Sequence, residues 1–242
     1  SLNGSNAADA GIAAYNGYLY KTGGSTGGAN PNTDVQYSKI GANGAPGAWI
    51  NTNNYPVATI TPAVISSGYI YIVGGCTAAA GTCSAFNGNS YYAPLNADGS
   101  VGTWLQSTTM LTVRYIHSLV ANNGYLYVVG GCIVKDFLNV CTNSATTTEY
   151  AKVNADGTLS AWMSTAAPTT PRRNTYATIY NGYVYLIGDV GLTNYVQYAP
   201  IYANGSLGAW KDTSTFTTTR LYPALASYNG YLYITGGCPN SS

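Results

Sequence analysis

The stretch Asn123-Gly-Tyr-Leu-Tyr-Val-Val-Gly-Gly131 determines the architecture, because it occurs with small changes five times in the sequence. Asn-Gly is the preferred pair for a two-residue hairpin turn, since both of its central residues need a positive φ. In the Tyr-Leu-Tyr part that follows, alternation places both tyrosines on one face of a strand and the aliphatic residue on the other. The stretch therefore predicts a tight turn followed by a strand that is apolar or aromatic on both faces. The other copies begin at Asn16, Ser67, Asn181 and Asn229.

A second block recurs with a fixed spacing of 12 residues from a tyrosine to a tryptophan. A turn sequence, such as Asn-Ala-Asp-Gly at 96–99, lies between the two aromatic residues. With a short apolar strand before each Asn-Gly pair, every repeat is predicted to contain four strands, which we label a, b, c and d. Four-stranded repeats of about 50 residues are typical of β-propeller blades. The pairs are Tyr37 and Trp49, Tyr92 and Trp104, Tyr150 and Trp162, and Tyr198 and Trp210.

The predicted fold is an all-β propeller of four-stranded antiparallel blades, with four complete blades and the first half of a fifth in a single domain. We expect the chain to be a segment of a larger propeller of roughly six to eight blades. An alternative is that another chain completes the last blade in a head-to-tail assembly. The predicted blades span residues 8–57, 58–112, 113–170, 171–218 and, for the partial one, 219–242.

Three features together resemble the Kelch repeat: an arginine before strand a, the Gly-Tyr-x-Tyr-x-x-Gly-Gly strand, and the Tyr-to-Trp spacing. The resemblance covers nearly the whole chain. It implies a β-propeller, but it does not define an activity, because Kelch propellers serve both as binding modules and as enzymes.

The cysteines lie in the connections between strands b and c. Cys76 and Cys83 lie in one such loop, and Cys132 and Cys141 lie at the equivalent place in the next repeat. We predict a disulfide within each loop, and therefore an oxidising, extracellular or cell-surface location. Cys238 occupies the same position in the fifth repeat, and is predicted to be unpaired because no further cysteine follows it.

The b–c connections also vary most in length, from 9 to 19 residues between the end of strand b and the strand c tyrosine. Variable loops on a rigid scaffold are a common form of binding surface. Arginines recur ten residues after a tryptophan, at the entry to strand a, and we expect them near the mouth of the central channel beside these loops. They are predicted to bind a carboxylate or sulfate of an acidic glycan or peptide. The alternative is that they cap backbone carbonyls between blades. The predicted ligand-binding residues are Arg114, Arg172, Arg220 and the additional, non-repeated Arg173.

Composition argues against several classes of function. Charged residues make up 7% of the chain and the net charge is +1, which does not favour nucleic-acid binding. No apolar run is long enough for a membrane helix. The single histidine, His117, does not provide the paired His and Tyr copper ligands of galactose-oxidase-like Kelch enzymes. We predict no catalytic residues, no metal site, no cofactor and no enzymatic activity.

The function predicted from the sequence is therefore an extracellular binding or adhesion scaffold. It would recognise a protein or a glycan through the b–c loops and the arginines, without nucleic acid and without membrane insertion. One alternative is a structural repeat of a cell-surface or filament assembly that binds copies of itself. A less favoured alternative is a secreted enzyme whose catalytic residues lie outside this segment.

Overall fold

The computed structural model describes residues 10–25, 31–79, 82–136, 140–188, 194–220 and 223–237, with the backbone alone at 78, 79 and 82–84. Within these ranges the ordered elements are β-strands, and no helix is long and apolar enough to cross a membrane. The chain divides into two compact units, one of Ser1–Tyr115 and Val153–Ala161 and the other of Ile116–Lys152 and Trp162–Ser242.

The first unit contains two four-stranded antiparallel sheets, each with its strands in the order a, b, c, d. Blade 1 consists of β1 (Gly11–Tyr15), β2 (Tyr18–Thr22), β3 (Val35–Lys39) and β4 (Ile50–Asn51). Blade 2 begins with β5 (Ala63–Ser66) and β6 (Tyr69–Val73), continues through a separate hairpin of β7 (Cys76–Ala79) and β8 (Thr82–Phe86), and ends with β9 (Asn89–Pro94) and β10 (Leu105–Thr109).

The second unit contains two more four-stranded sheets and, among its described residues, two two-stranded sheets. Blade 3 consists of β11 (Ser118–Asn122), β12 (Tyr125–Val129), the hairpin strands β13 (Cys132–Lys135) and β14 (Cys141–Ser144), then β15 (Thr148–Lys152) and β16 (Met163–Thr165). Blade 4 consists of β17 (Tyr176–Tyr180), β18 (Tyr183–Ile187), β19 (Gln197–Pro200) and β20 (Lys211–Asp212). The half blade consists of β21 (Ala224–Tyr228) and β22 (Tyr231–Thr235).

The four complete blades and the half blade agree with the sequence prediction. The turns before strand b have the predicted geometry, since Asn123 and Gly124 have φ values of 45° and 74°. Two of the b–c connections form hairpins of their own, β7–β8 and β13–β14, which the sequence pattern did not predict. These hairpins are sheets separate from the blades that carry them.

In both units a glycine of a c–d turn lies against a tyrosine ring of the preceding blade, and the c–d turn of blade 3 at Val153–Ala161 belongs to the first unit. Gly157 is in the c–d turn of blade 3, and a Cβ built on it would come within 2.5 Å of a ring carbon of Tyr69 on strand b of blade 2. Close contact of this kind requires a residue without a side chain. The hydroxyl of Tyr71 also donates a hydrogen bond of 2.8 Å to the Gly157 carbonyl. The same glycine-to-ring packing joins Gly99 to Tyr18 and Gly205 to Tyr125.

The cores lie between the tyrosine face of one blade and the aliphatic face of the next. In the first unit Tyr20 of blade 1 packs in one cluster with Ile70, Val101 and Trp104 of blade 2. In the second unit the corresponding cluster combines Tyr127 and Tyr150 of blade 3 with residues of blade 4, namely Val184, Leu186, Ala199, Leu207 and Trp210. In each complete blade the second strand b tyrosine also stacks on the strand c tyrosine, with ring planes 14° to 24° apart.

Two hydrogen bonds repeat at these blade-to-blade contacts. The hydroxyl of Thr165, on strand d of blade 3, accepts a bond of 2.7 Å from the backbone N–H of Leu207 in blade 4. One residue later, the Ala166 carbonyl accepts a bond of 2.8 Å from Nε1 of Trp210. The end of strand d, or the residues directly after it, therefore presents a hydroxyl and a carbonyl to the c–d hairpin of the following blade in blades 1 and 3. In the first unit, Val101 N–H bonds to the Thr52 hydroxyl at 2.9 Å and Trp104 Nε1 to the Asn53 carbonyl at 2.8 Å.

We predict that Gly157→Ala destabilises the protein more than Gly124→Ala, the matched control. Both glycines have positive φ, 84° and 74°, so both substitutions introduce backbone strain of about 1–2 kcal/mol. Nothing lies within 4 Å of the Cβ position of Gly124, whereas the Tyr69 ring must move to accept a methyl group on residue 157, which adds roughly 1–3 kcal/mol. Urea denaturation measures the difference, and equal losses for the two variants would show that the ring contact is not tight.

Candidate functional site

Two of the recurrent arginines bind the carbonyl that ends strand b of their own blade. Arg172 is 2% exposed, and its Nη1 donates a hydrogen bond of 3.2 Å to the Gly188 carbonyl, directly after β18. Arg220 makes the same contact, 2.9 Å to the Gly236 carbonyl directly after β22, on an exposed part of the half blade. These two arginines therefore cap backbone carbonyls, which is the alternative to ligand binding given above. In both cases the acceptor belongs to the same blade and not to a neighbouring one.

Arg114 lies in the first unit and is completely buried. Its Nε donates a hydrogen bond of 3.1 Å to the Thr112 carbonyl, and its own carbonyl accepts one of 3.0 Å from the Gly75 N–H. In blade 2, where Thr59 replaces the arginine, the Thr59 carbonyl accepts a bond of 2.9 Å from the buried Tyr55 hydroxyl. Ligand binding by Arg114, Arg172 and Arg220 stays a prediction. In the structure each of these side chains donates a hydrogen bond to a backbone carbonyl.

Arg173 differs from the recurrent arginines because it contacts the b–c hairpin of blade 3. It is half-buried, and its Nη1 donates a short hydrogen bond of 2.6 Å to the Cys141 carbonyl at the start of β14. The second unit therefore brings together one predicted ligand-binding residue and one of the cysteine-bearing connections.

The β13–β14 hairpin is closed by the predicted disulfide between Cys132 and Cys141, whose Cα atoms are 5.9 Å apart. At its far end, Asp136 and Val140 are joined by two hydrogen bonds, from Asp136 N–H to the Val140 carbonyl and from Val140 N–H to Asp136 Oδ1. Both cysteines are buried, whereas Val134 and Val140 are 46% and 54% exposed. The hairpin is thus fixed at both ends and presents apolar side chains to solvent.

The hairpin also carries a cation. Lys135 is half-buried, and burial lowers the pKa of its ammonium group. With the two exposed valines, Lys135 gives the hairpin both apolar surface and a positive charge.

The β7–β8 hairpin of blade 2 is the counterpart in the first unit. Cys76 is fully buried and disulfide-bonded, and the Cys83 side chain, its predicted partner, lies outside the described residues. The ring of Phe86, at the end of β8, stacks on Tyr115 with centroids 5.0 Å apart. Cys238, predicted to be unpaired, also lies outside the described residues.

The single histidine is buried, and the aspartates of two c–d turns accept local hydrogen bonds. His117 is 4% exposed and directly precedes β11. Asp98 and Asp156 lie in c–d turns, where hydrogen bonds from the hydroxyl and N–H of Ser100 and Thr158 lower the pKa of each carboxyl group. Burial raises the pKa of the Tyr71 hydroxyl, which therefore remains a hydrogen-bond donor. Across the described ranges, no three His, Cys, Asp or Glu side chains are grouped as a metal site would require.

Comparison with known proteins supports the fold. No protein family and no curated protein matches the chain. Among solved structures the chain is similar to YjhT, with a TM-score of 0.72 and 14% sequence identity, over 96% of this chain and 77% of that one. At this identity the likeness concerns the fold alone, and with the four blades it shows that the chain has a β-propeller fold.

We predict that Arg172→Ala lowers the free energy of unfolding by about 2–4 kcal/mol, because it removes a charged donor from a buried carbonyl and leaves a cavity. Arg220→Ala is the matched control, since it removes the equivalent bond where solvent can replace it, and it should cost less than about 1 kcal/mol. Urea denaturation of both variants measures the contrast. A small and equal loss would contradict a structural role for Arg172.

Proposed function

We propose that the chain is an extracellular binding module of the Kelch type that contacts a protein or glycan ligand through its b–c hairpins. The observation that carries the proposal is the β13–β14 hairpin, which is closed by a disulfide, supported by Arg173, and exposed at Val134 and Val140. A hairpin held in this way loses little conformational entropy on binding, and therefore more of the contact energy is available for affinity.

The disulfide and the pattern of variation between the repeats support the same proposal. A disulfide persists in oxidising compartments, which favours an extracellular location. The largest differences between repeats lie in the b–c connections, while the turns and strands that join the blades are kept constant. Variation in one kind of connection on a constant scaffold is expected if that connection determines what is bound.

The four arginines have different roles in this proposal. Arg173 positions the hairpin through the Cys141 carbonyl, and its remaining donors are the ones we assign to an anionic group of the ligand. Arg114 and Arg172 are buried and bind backbone carbonyls, so we assign them to the scaffold. We assign the chain no catalytic activity and no cofactor.

The proposal predicts that charge placed on the hairpin abolishes ligand binding without unfolding the propeller. The purified chain is first screened on arrays of glycans and of extracellular-matrix proteins. The double substitution Val134→Asp and Val140→Asp should then weaken binding to the best ligand by about a hundredfold, since two apolar contacts worth roughly 1–1.5 kcal/mol each are lost.

The matched control is the double substitution Ile50→Asp and Leu105→Asp, which places the same two charges on strand d residues of the first unit that are 49% and 50% exposed. This variant should bind as the unmodified chain does. The proposal is contradicted if the arrays show no ligand, or if the hairpin variant and the control bind equally well.

A further inference from the structure

The two-stranded sheet of β21 and β22 has an edge that is paired in every complete blade. Strand b is bonded to strand a on one side and to strand c on the other in blades 1 to 4. Within the described residues β22 is bonded to β21 alone. A free strand edge carries unpaired N–H and C=O groups and is a template for a further strand.

The exposure of the strand b tyrosines also indicates that a further pair of strands packs against blade 4 and the half blade. The second strand b tyrosine is at most 1% exposed at Tyr20, Tyr71 and Tyr127, where a following blade covers it. Tyr185 of blade 4 is only half-buried, although its own blade is complete. Tyr233 of the half blade is 49% exposed, and its counterparts all stack on a strand c tyrosine. The uncovered tyrosines therefore lie where strands c and d of a fifth blade would pack.

A groove of about 310 Å³ lies between blade 4 and the half blade. The residues that follow strand d of blade 4, at 213–216, form one side, and β22 with its aliphatic Leu232 and Ile234 forms the other. In both pairs of neighbouring blades described above, this place is filled by a branched aliphatic residue and the strand d tryptophan of the following blade. Residues lining the groove include Tyr185, Val196, Thr213, Ser214, Leu232 and Ile234.

The hydrogen-bonding groups of the groove have the same spacing as those that hold a c–d hairpin elsewhere. Thr213 follows Trp210 by three residues, as Thr165 follows Trp162, and Ser214 corresponds in the same way to Ala166. Thr165 and Ala166 accept the backbone N–H of Leu207 and the Trp210 indole N–H. Thr213 and Ser214 are exposed and line the groove. Their hydroxyl and carbonyl are thus presented as acceptors for a tryptophan-bearing hairpin.

We propose that the groove and the edge of β22 that is unpaired among the described residues form an acceptor site for a β-hairpin with the c–d sequence of this repeat, additional to the four c–d hairpins described above. The hairpin would add its first strand to β22, with its tyrosine on Tyr233. It would place the turn glycine on Tyr183 and the tryptophan against Thr213 and Ser214. The hairpin must contain Tyr-Ala, a turn glycine six residues after that alanine, and a tryptophan five residues after the glycine. Residues 198–210 show this spacing.

A second copy of this chain fits the site less well. Two β22 edges could pair with one another, but such a pair would bring neither a turn glycine to Tyr183 nor an indole to the groove. Within the described residues, the c–d hairpins of the four complete blades are already paired with their own strand b. The chemistry of the groove therefore favours a separate hairpin, and this inference does not depend on the proposed ligand-binding function.

The test uses a fluorescent synthetic peptide of residues 146–165, which is the c–d hairpin of blade 3, titrated with the full chain by fluorescence anisotropy. We expect saturable binding with one peptide per chain. Peptides carrying Trp162→Ala or Gly157→Val should bind at least about tenfold more weakly, since each loses a contact worth about 1 kcal/mol or more. On the protein side, Tyr233→Ala should weaken binding similarly, whereas Tyr202→Ala, at a comparably exposed tyrosine in the blade 4 turn, should not.

A free two-stranded hairpin is only marginally ordered in water, so a second measurement accompanies the titration. Residues 138–165 are fused after residue 242, and thermal unfolding is compared with a fusion that carries Gly157→Val in the added copy alone. The inference predicts a higher Tm for the first fusion. It is overturned if neither the peptide nor the fusion has an effect, if the glycine and tryptophan variants behave like the original sequence, or if the chain forms dimers that the peptide does not disrupt.

Discussion

The propeller is assembled through the contact of a strand b tyrosine with the turn glycine of the next blade. The ring of Tyr69 lies against Gly157, and the neighbouring Tyr71 donates to the carbonyl of that glycine. Such a contact is possible only if the c–d turn has one length and places its glycine at one position. The Tyr-to-Trp spacing of 12 residues, constant in all four complete repeats, is therefore explained by blade-to-blade packing. The described parts of the b–c connections place no glycine against a ring of the next blade, and these connections differ in length.

Separation of the two kinds of connection explains how the fold can carry a variable surface. The c–d turns join blades, whereas the b–c connections of blades 2 and 3 extend into hairpins with their own pairing. Cys132 and Cys141 close one hairpin without involving the blade strands, so the hairpin sequence can differ while the core remains the same. Arg173 links this surface to the scaffold because it adjoins Arg172, which binds the carbonyl at the end of β18.

Much of the fold was predictable because its signals are local. Asn-Gly pairs, alternating tyrosines and the paired cysteines at 132 and 141 act over a few residues, and the structure confirms them. The contact of Gly157 with Tyr69 joins residues 88 positions apart, and a repeating sequence does not tell which copy of the glycine meets which tyrosine. The bond from Arg172 to Gly188 was missed for a related reason, since a repeated arginine is equally compatible with an acceptor in its own blade or the next. The two b–c hairpins lack the alternation of ordinary strands, and their greater length and paired cysteines were the signals that set these connections apart.

Native-state hydrogen exchange measures whether the following blade holds each strand b in place. Backbone amides of β12, where Gly205 covers Tyr125, should exchange slowest. Amides of β18, with Tyr185 half-buried, should be intermediate, and those of β22, paired on one edge, should exchange fastest. This order follows because local opening costs less where fewer contacts are broken. Equal protection of β22 and β12 would contradict this explanation, since it would show that each strand b is held by its own blade alone.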